Sequence, residues 1–226
     1  MANRLLGSSL KLAGALALTA FVISAHAQSV TQWDESVSGD LSGNQAAPNN
    51  FTLVLGTNAI IGNLRNTSTL DNQDWIMLAV PGGLQLSAVV LKAYSSTDQQ
   101  GFTGVQAGTN FVGSAVSAAS YLGYAHFGTG AQNGSLPATN LVGVDILPIM
   151  GNTNLAAGSQ GFLPPLPSGN YTFLIQQTGS AQTSYEFDYV TTAVPEPSTL
   201  LLMGSGLTAL FAGHRRKRSG SGSAAP

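Results

Sequence analysis

The sequence predicts an all-β body, an antiparallel β-sandwich or jelly roll, flanked by an N-terminal signal helix and a C-terminal transmembrane helix. Three observations lead there. Short apolar segments recur between Gly/Pro-rich turns, aromatic and acidic residues alternate strictly near the end of the body, and no long stretch carries a helical period. That combination suits two packed sheets and argues against an α/β fold. No repeat at a fixed period is evident.

At the N-terminus, Arg4 and Lys11 precede an apolar run from Leu12 to Ile23, followed by Ser24-Ala25-His26-Ala27. Small residues at Ala25 and Ala27 fit a signal-peptidase site, so cleavage is expected between Ala27 and Gln28. The apolar run is short for a durable membrane span. Residues 1–27 therefore read as a signal peptide and 28–193 as the body.

The polar stretch from Gln28 to Asn50, around Trp33-Asp34-Glu35-Ser36, reads as an opening strand followed by a loop. Segments 51–55 and 59–64 flank Gly56-Thr57-Asn58, which suits a hairpin turn. Segments 74–80 and 84–91 flank Pro81-Gly82-Gly83 and predict a second hairpin, and 171–177 with 184–190 predict a third. In the last of these, Tyr185, Phe187 and Tyr189 alternate with Glu186 and Asp188, which places the aromatics on one face, toward the core. Residues 104–134 leave two readings open: a short helix over Val112 to Ser120, or loop and irregular strand favoured by the flanking glycines.

The whole-chain net charge of −2 conceals an acidic body. Between Gln28 and Val194 only Arg65 and Lys92 stand against Asp34, Glu35, Asp40, Asp71, Asp74, Asp98, Asp145, Glu186 and Asp188. Without a basic patch the body has no means of binding nucleic acid through counterion release. The chain has no cysteine, which excludes thiol redox chemistry and Cys-ligated metals, and leaves the hydrophobic core to hold the fold in an oxidising compartment.

After the last strand come Val194-Pro195-Glu196-Pro197-Ser198, an apolar run from Leu200 to Gly213, and His214-Arg215-Arg216-Lys217-Arg218. The prolines hold an extended segment that a processing enzyme can grip, and Pro197 can open the following helix. That helix suits a transient anchor, and Arg215, Arg216, Lys217 and Arg218 stop it with their end in the cytoplasm. This arrangement over 194–218 closely resembles the PEP-CTERM sorting signal of Gram-negative bacteria. The resemblance implies recognition by an inner-membrane exosortase at Val194, Pro195, Glu196 and Pro197, removal of the tail, and delivery to the outer surface or exopolysaccharide matrix. Its partners would be signal peptidase, exosortase, the inner membrane transiently, and a surface glycan. The motif is similar, too, to a C-terminal region found in ice-binding proteins. Residues 219–226 form a flexible Ser/Gly/Ala extension.

Within the body, Asp71-Asn-Gln-Asp74-Trp75, Val80-Pro-Gly-Gly83-Leu84 and Leu166-Pro-Ser-Gly169-Asn-Tyr171 resemble the acidic turn, hairpin and strand start of bacterial pre-peptidase C-terminal domains. That resemblance implies a jelly-roll accessory domain. No nucleophile elbow, zinc helix, phosphate loop or EF-hand is found between Gln28 and Val194. His126 is the one histidine left to a hydrolase once the two ends are set aside, so the expectation is a non-enzymatic binder, with a hydrolase built on His126 as the alternative. Asp71 and Asp74 are candidate calcium ligands or simple turn formers; no other cofactor is expected. Trp33, Trp75, Tyr94, Tyr121 and Tyr124 are candidates for a sugar-stacking platform, with Trp75 also suited to the core.

Overall fold

The computed structural model describes residues 27–65, 72–177 and 179–195. The expected signal helix, Asp71, Glu196, Pro197, the Leu200–Gly213 run and the Arg215–Arg218 cluster lie outside the described residues. Two sheets pack face to face, as expected of a β-sandwich. One has the order β1-β3-β9-β5, built from β1 (Gln28–Asp34), β3 (Gly56–Leu64), β9 (Thr183–Ala193) and β5 (Leu84–Ser96). The other has the order β2-β4-β8-β6-β7, built from β2 (Asn49–Thr52), β4 (Gln73–Val80), β8 (Gly169–Gln176), β6 (Gly101–Ala107) and β7 (Gly123–Phe127). Most neighbours are antiparallel, but β1 runs parallel to β3 and β2 parallel to β4, so both sheets are mixed.

None of the three expected hairpins pairs with itself. β2 and β3, β4 and β5, and β8 and β9 each fall in opposite sheets, so their turns carry the chain across the core. Turn chemistry reports that the chain reverses, and Gly56 (φ 107°) and Gly83 (φ 81°) supply the left-handed backbone that the reversal uses. It does not report whether the two arms bond to each other. Here each arm gains more by burying its apolar face against the other: Ile76, Leu78 and Val80 of β4 and Leu86, Val89 and Leu91 of β5 are all buried.

The alternation in β9 behaves as the sequence predicts. Tyr185, Phe187 and Tyr189 are buried between the sheets. Phe187 meets Phe127 edge-on at 5.0 Å between ring centroids, and Tyr189 meets Phe173 at 5.3 Å. The Tyr185 hydroxyl donates to Asp74 Oδ2 at 2.6 Å. Gly62, its neighbour on β3, makes room for it, since a Cβ there would lie 2.3 Å from that hydroxyl.

Residues 104–134 contain the end of β6, a connection with a single 3-10 turn at Ala118–Ser120, and β7; no α-helix forms over 112–120. The connection folds over the outer face of the second sheet, where Phe111 and Tyr121 cover Trp75 and Leu174 in a small second core. Gly104 permits this, because a Cβ in its place would stand 2.4 Å from the Tyr121 ring. A short helix, α2 (Leu147–Gly151), packs its buried Leu147 and Met150 into the main core. The start of β8 is pinned by the Tyr171 hydroxyl, which donates to the Pro167 carbonyl at 3.0 Å.

Two tyrosines of one strand make opposite predictions. The buried Tyr189 hydroxyl has no hydrogen-bond partner among the described residues, whereas that of Tyr185 has Asp74. Tyr189→Phe is expected to match or exceed the wild-type stability in urea denaturation, while Tyr185→Phe loses about 1–3 kcal/mol because a buried acceptor is left behind. Equal losses in the two variants would contradict this assignment.

Candidate functional site

Two loci gather chemistry-bearing side chains. The first lies where β1 ends. Asp34 caps the short helix α1 (Glu35–Ser38), its Oδ1 accepting from the Ser36 amide at 2.9 Å and the Ser36 hydroxyl at 2.7 Å. This turn aims Glu35 inward, where Oε1 accepts from the Leu41 amide at 2.8 Å and Oε2 from the Asn63 amide at 2.6 Å. Glu35, Asp40 and the buried Asp74 bring one carboxylate oxygen each within 4.8 Å of one another. Burial pushes the Glu35 carboxyl above its usual range; the Leu41 and Asn63 amides oppose that, and the charge of Asp40 adds to it. Burial, then the neighbouring Asp74 charge, holds the Tyr185 hydroxyl protonated far beyond the usual phenol range. Oxygens so grouped suit either a shared proton or a hard cation such as calcium. Of the two residues that the sequence singled out, Asp74 is here and Asp71 lies outside the described residues. Glu35 and Asp40 were not legible as its neighbours, because a separate strand connection delivers them.

The second locus is a half-open cleft of about 310 Å³ on the outer face of the second sheet. β6 places Phe102 between His126 of β7 and Gln176 of β8. Phe102 and Tyr124 lie 5.5 Å apart at 31°, forming a continuous aromatic floor. Tyr121 closes one side and the exposed Val116 stands at the rim. Both tyrosine hydroxyls are engaged, Tyr121 with the Ala115 carbonyl at 2.7 Å and Tyr124 with the Ala157 carbonyl at 2.9 Å. What the cleft offers a ligand is therefore ring surface and the side-chain amide of Gln176, with no charged residue among the described residues of its lining.

Of the expected stacking residues, Tyr121 and Tyr124 line this cleft, and Trp75 is fully buried beneath it. Trp33 is elsewhere, packed on Phe51 at 5.8 Å with its indole N–H on the Gly39 carbonyl, and Tyr94 donates to the Asp98 carbonyl beside Phe127. Phe102 and Gln176 were missed; their only signal was an outward place in strands whose other faces are apolar. His126 meets Phe102 edge-on at 5.8 Å. Among the described residues, no Ser, Thr, Asp or Glu side chain hydrogen-bonds its ring.

The last strand runs into the C-terminal segment without a linker. Ala193 still pairs with Leu84, and the Val194 amide donates to the Gly83 carbonyl at 2.8 Å. Residues 193–217 match the PEP-CTERM protein-sorting motif. No curated protein and no solved structure matches the chain. Among the described residues no helix is long and apolar enough to cross a membrane.

Burial pushes the His126 imidazole below its ordinary value of 6.5, opposed by the Gln132 carbonyl. A lowered folded value means that the unfolded chain binds the proton more readily, so the contribution of His126 to stability is complete above 6.5 and is lost as pH falls through the folded value. His126→Gln is expected to flatten the decline in melting temperature just below pH 6.5. An unchanged slope in that variant would show that the imidazole is solvated like a free one.

Proposed function

We propose that this chain, whose residues 193–217 mark an exported protein with an exosortase-processed C-terminal sorting signal, delivers a non-catalytic β-sandwich to the surface or extracellular matrix of a Gram-negative cell, where it binds a neutral glycan of the exopolysaccharide. Signal peptidase frees Gln28, the inner membrane holds the Leu200–Gly213 run until exosortase acts, and the body is then released to its ligand.

The observation that carries the binding reading is the cleft of Phe102, Tyr124 and Gln176. A pyranose presents an apolar C–H face and a rim of hydroxyls. The aromatic floor buries the first, and a primary amide, donor and acceptor together, exchanges hydrogen bonds with the second. The uncharged lining and the acidic body disfavour polyanionic chains. A hydrolase would need more than His126, because a general base works when a neighbouring group orients it and a nucleophile or water stands beside it.

The purified 28–194 body on a glycan array should retain neutral polysaccharides. Phe102→Ala and Tyr124→Ala should each weaken that binding about tenfold, the equivalent of roughly 1.4 kcal/mol of stacking. A folded body that retains no neutral glycan would refute the binding reading. Glycan hydrolysis that disappears in His126→Ala would establish the enzyme instead.

A further inference from the structure

Both ends of the described body leave it on the same side. β1 is parallel to β3 and β9 antiparallel to it, so Gln28, Gly56 and Thr191 stand in one row across three neighbouring strands. Strands lie about 4.8 Å apart, which sets the start of β1 and the end of β9 roughly 10 Å from each other. The β4–β5 turn joins this end through the Leu84–Ala193 pair and the Val194–Gly83 hydrogen bond. In the second sheet the Val80–Gly169 and Ala107–Tyr171 pairs complete it.

Charge divides along the same axis. The segments that build this end, 28–31, 50–57, 80–86, 107–110, 166–171 and 191–195, contain no Asp, Glu, Lys or Arg. Asp34, Glu35, Asp40, Asp74 and Asp98 stand at the other end, where β1 and β5 finish and β4 begins, against one basic residue, Arg65, just past the end of β3. β9 spans eleven residues, so the two ends are roughly 33 Å apart. The apolar run before Gln28 stops at Ile23, and the run after Pro195 starts at Leu200. Five residues reach at most about 18 Å, so a bilayer holding both runs also holds the body close.

We propose that, before processing, the folded sandwich stands on the outer leaflet of the exporting membrane on this uncharged end, held by two adjacent tethers, with its acidic end turned away. The proposal rests on the sorting reading above. An end without carboxylates meets anionic phospholipid without repulsion, and Val194, 44 % exposed, adds apolar surface to it. Asp40, exposed, and Asp34, Glu35 and Asp98, partly exposed, outnumber Arg65 at the opposite end and would be repelled by the same lipid. Because the sheet is complete up to Val194, exosortase meets a folded body, and the Pro81–Gly83 turn is the part of that body beside the segment it cuts.

The chain has no cysteine, so a fluorophore can be placed by one substitution. A Cβ at Gly82 meets nothing within 4 Å, and Thr97 is exposed at the acidic end. The full-length chain carrying Gly82→Cys or Thr97→Cys is labelled and reconstituted into phosphatidylcholine–phosphatidylglycerol vesicles that contain a headgroup nitroxide lipid, with protease resistance of the body as the check on folding. The label at position 82 should lose most of its emission, the label at position 97 should keep nearly all of it, and both should stay bright on the isolated body. Equal quenching at the two positions in a chain that floats with the vesicles would overturn the orientation. A chain that fails to float would overturn the sorting reading and this one with it.

Discussion

The packing of one aromatic face of β9 against the opposite sheet is the interaction on which the rest of this molecule depends. Tyr185, Phe187 and Tyr189 project from a strand that lies between β3 and β5, so the same residues that fill the core also sit at the centre of the first sheet. With no cysteine to cross-link the sheets, burial of apolar area is the main force holding them together. The hydroxyl of Tyr185 then ties the face to Asp74 in the second sheet, beside Glu35 of α1 and Asp40 just after it.

The same strand links fold to function. Its far end is the first residue of the matched sorting segment, still hydrogen-bonded within the sheet. Charge placement is consistent with that arrangement. Asp34, Glu35, Asp40 and Asp98 lie at the end remote from Gln28 and Val194, and the described lining of the cleft carries no charged residue.

What the sequence disclosed and what it concealed follow from the range of the interactions involved. Alternation in β9, the apolar segments and the Val194–Pro197 motif are local patterns, and each was legible. Strand partnership is not local. The three turns at 56–58, 81–83 and 178–183 look like hairpins because the chain reverses in each, yet arms that are apolar on their inner faces gain more by facing each other across the core than by pairing. The parallel pairs β1–β3 and β2–β4 follow from those crossings and leave no mark in composition. For the same reason, Asp74 was visible as an acidic turn residue while its neighbours Glu35 and Asp40 were not, and Tyr124 was visible as an aromatic while the floor it shares with Phe102 was not.

The sorting signal over 193–217 marks an exported body whose tail is processed by exosortase. Intact-mass spectrometry of the protein recovered from the envelope of an exosortase-containing strain tests it most directly. The expected product is a chain that begins at Gln28, ends near the Val194–Pro197 motif and lacks the Leu200–Gly213 run. A mature protein that still carries Arg215 to Arg218 would contradict it and make the tail a permanent anchor.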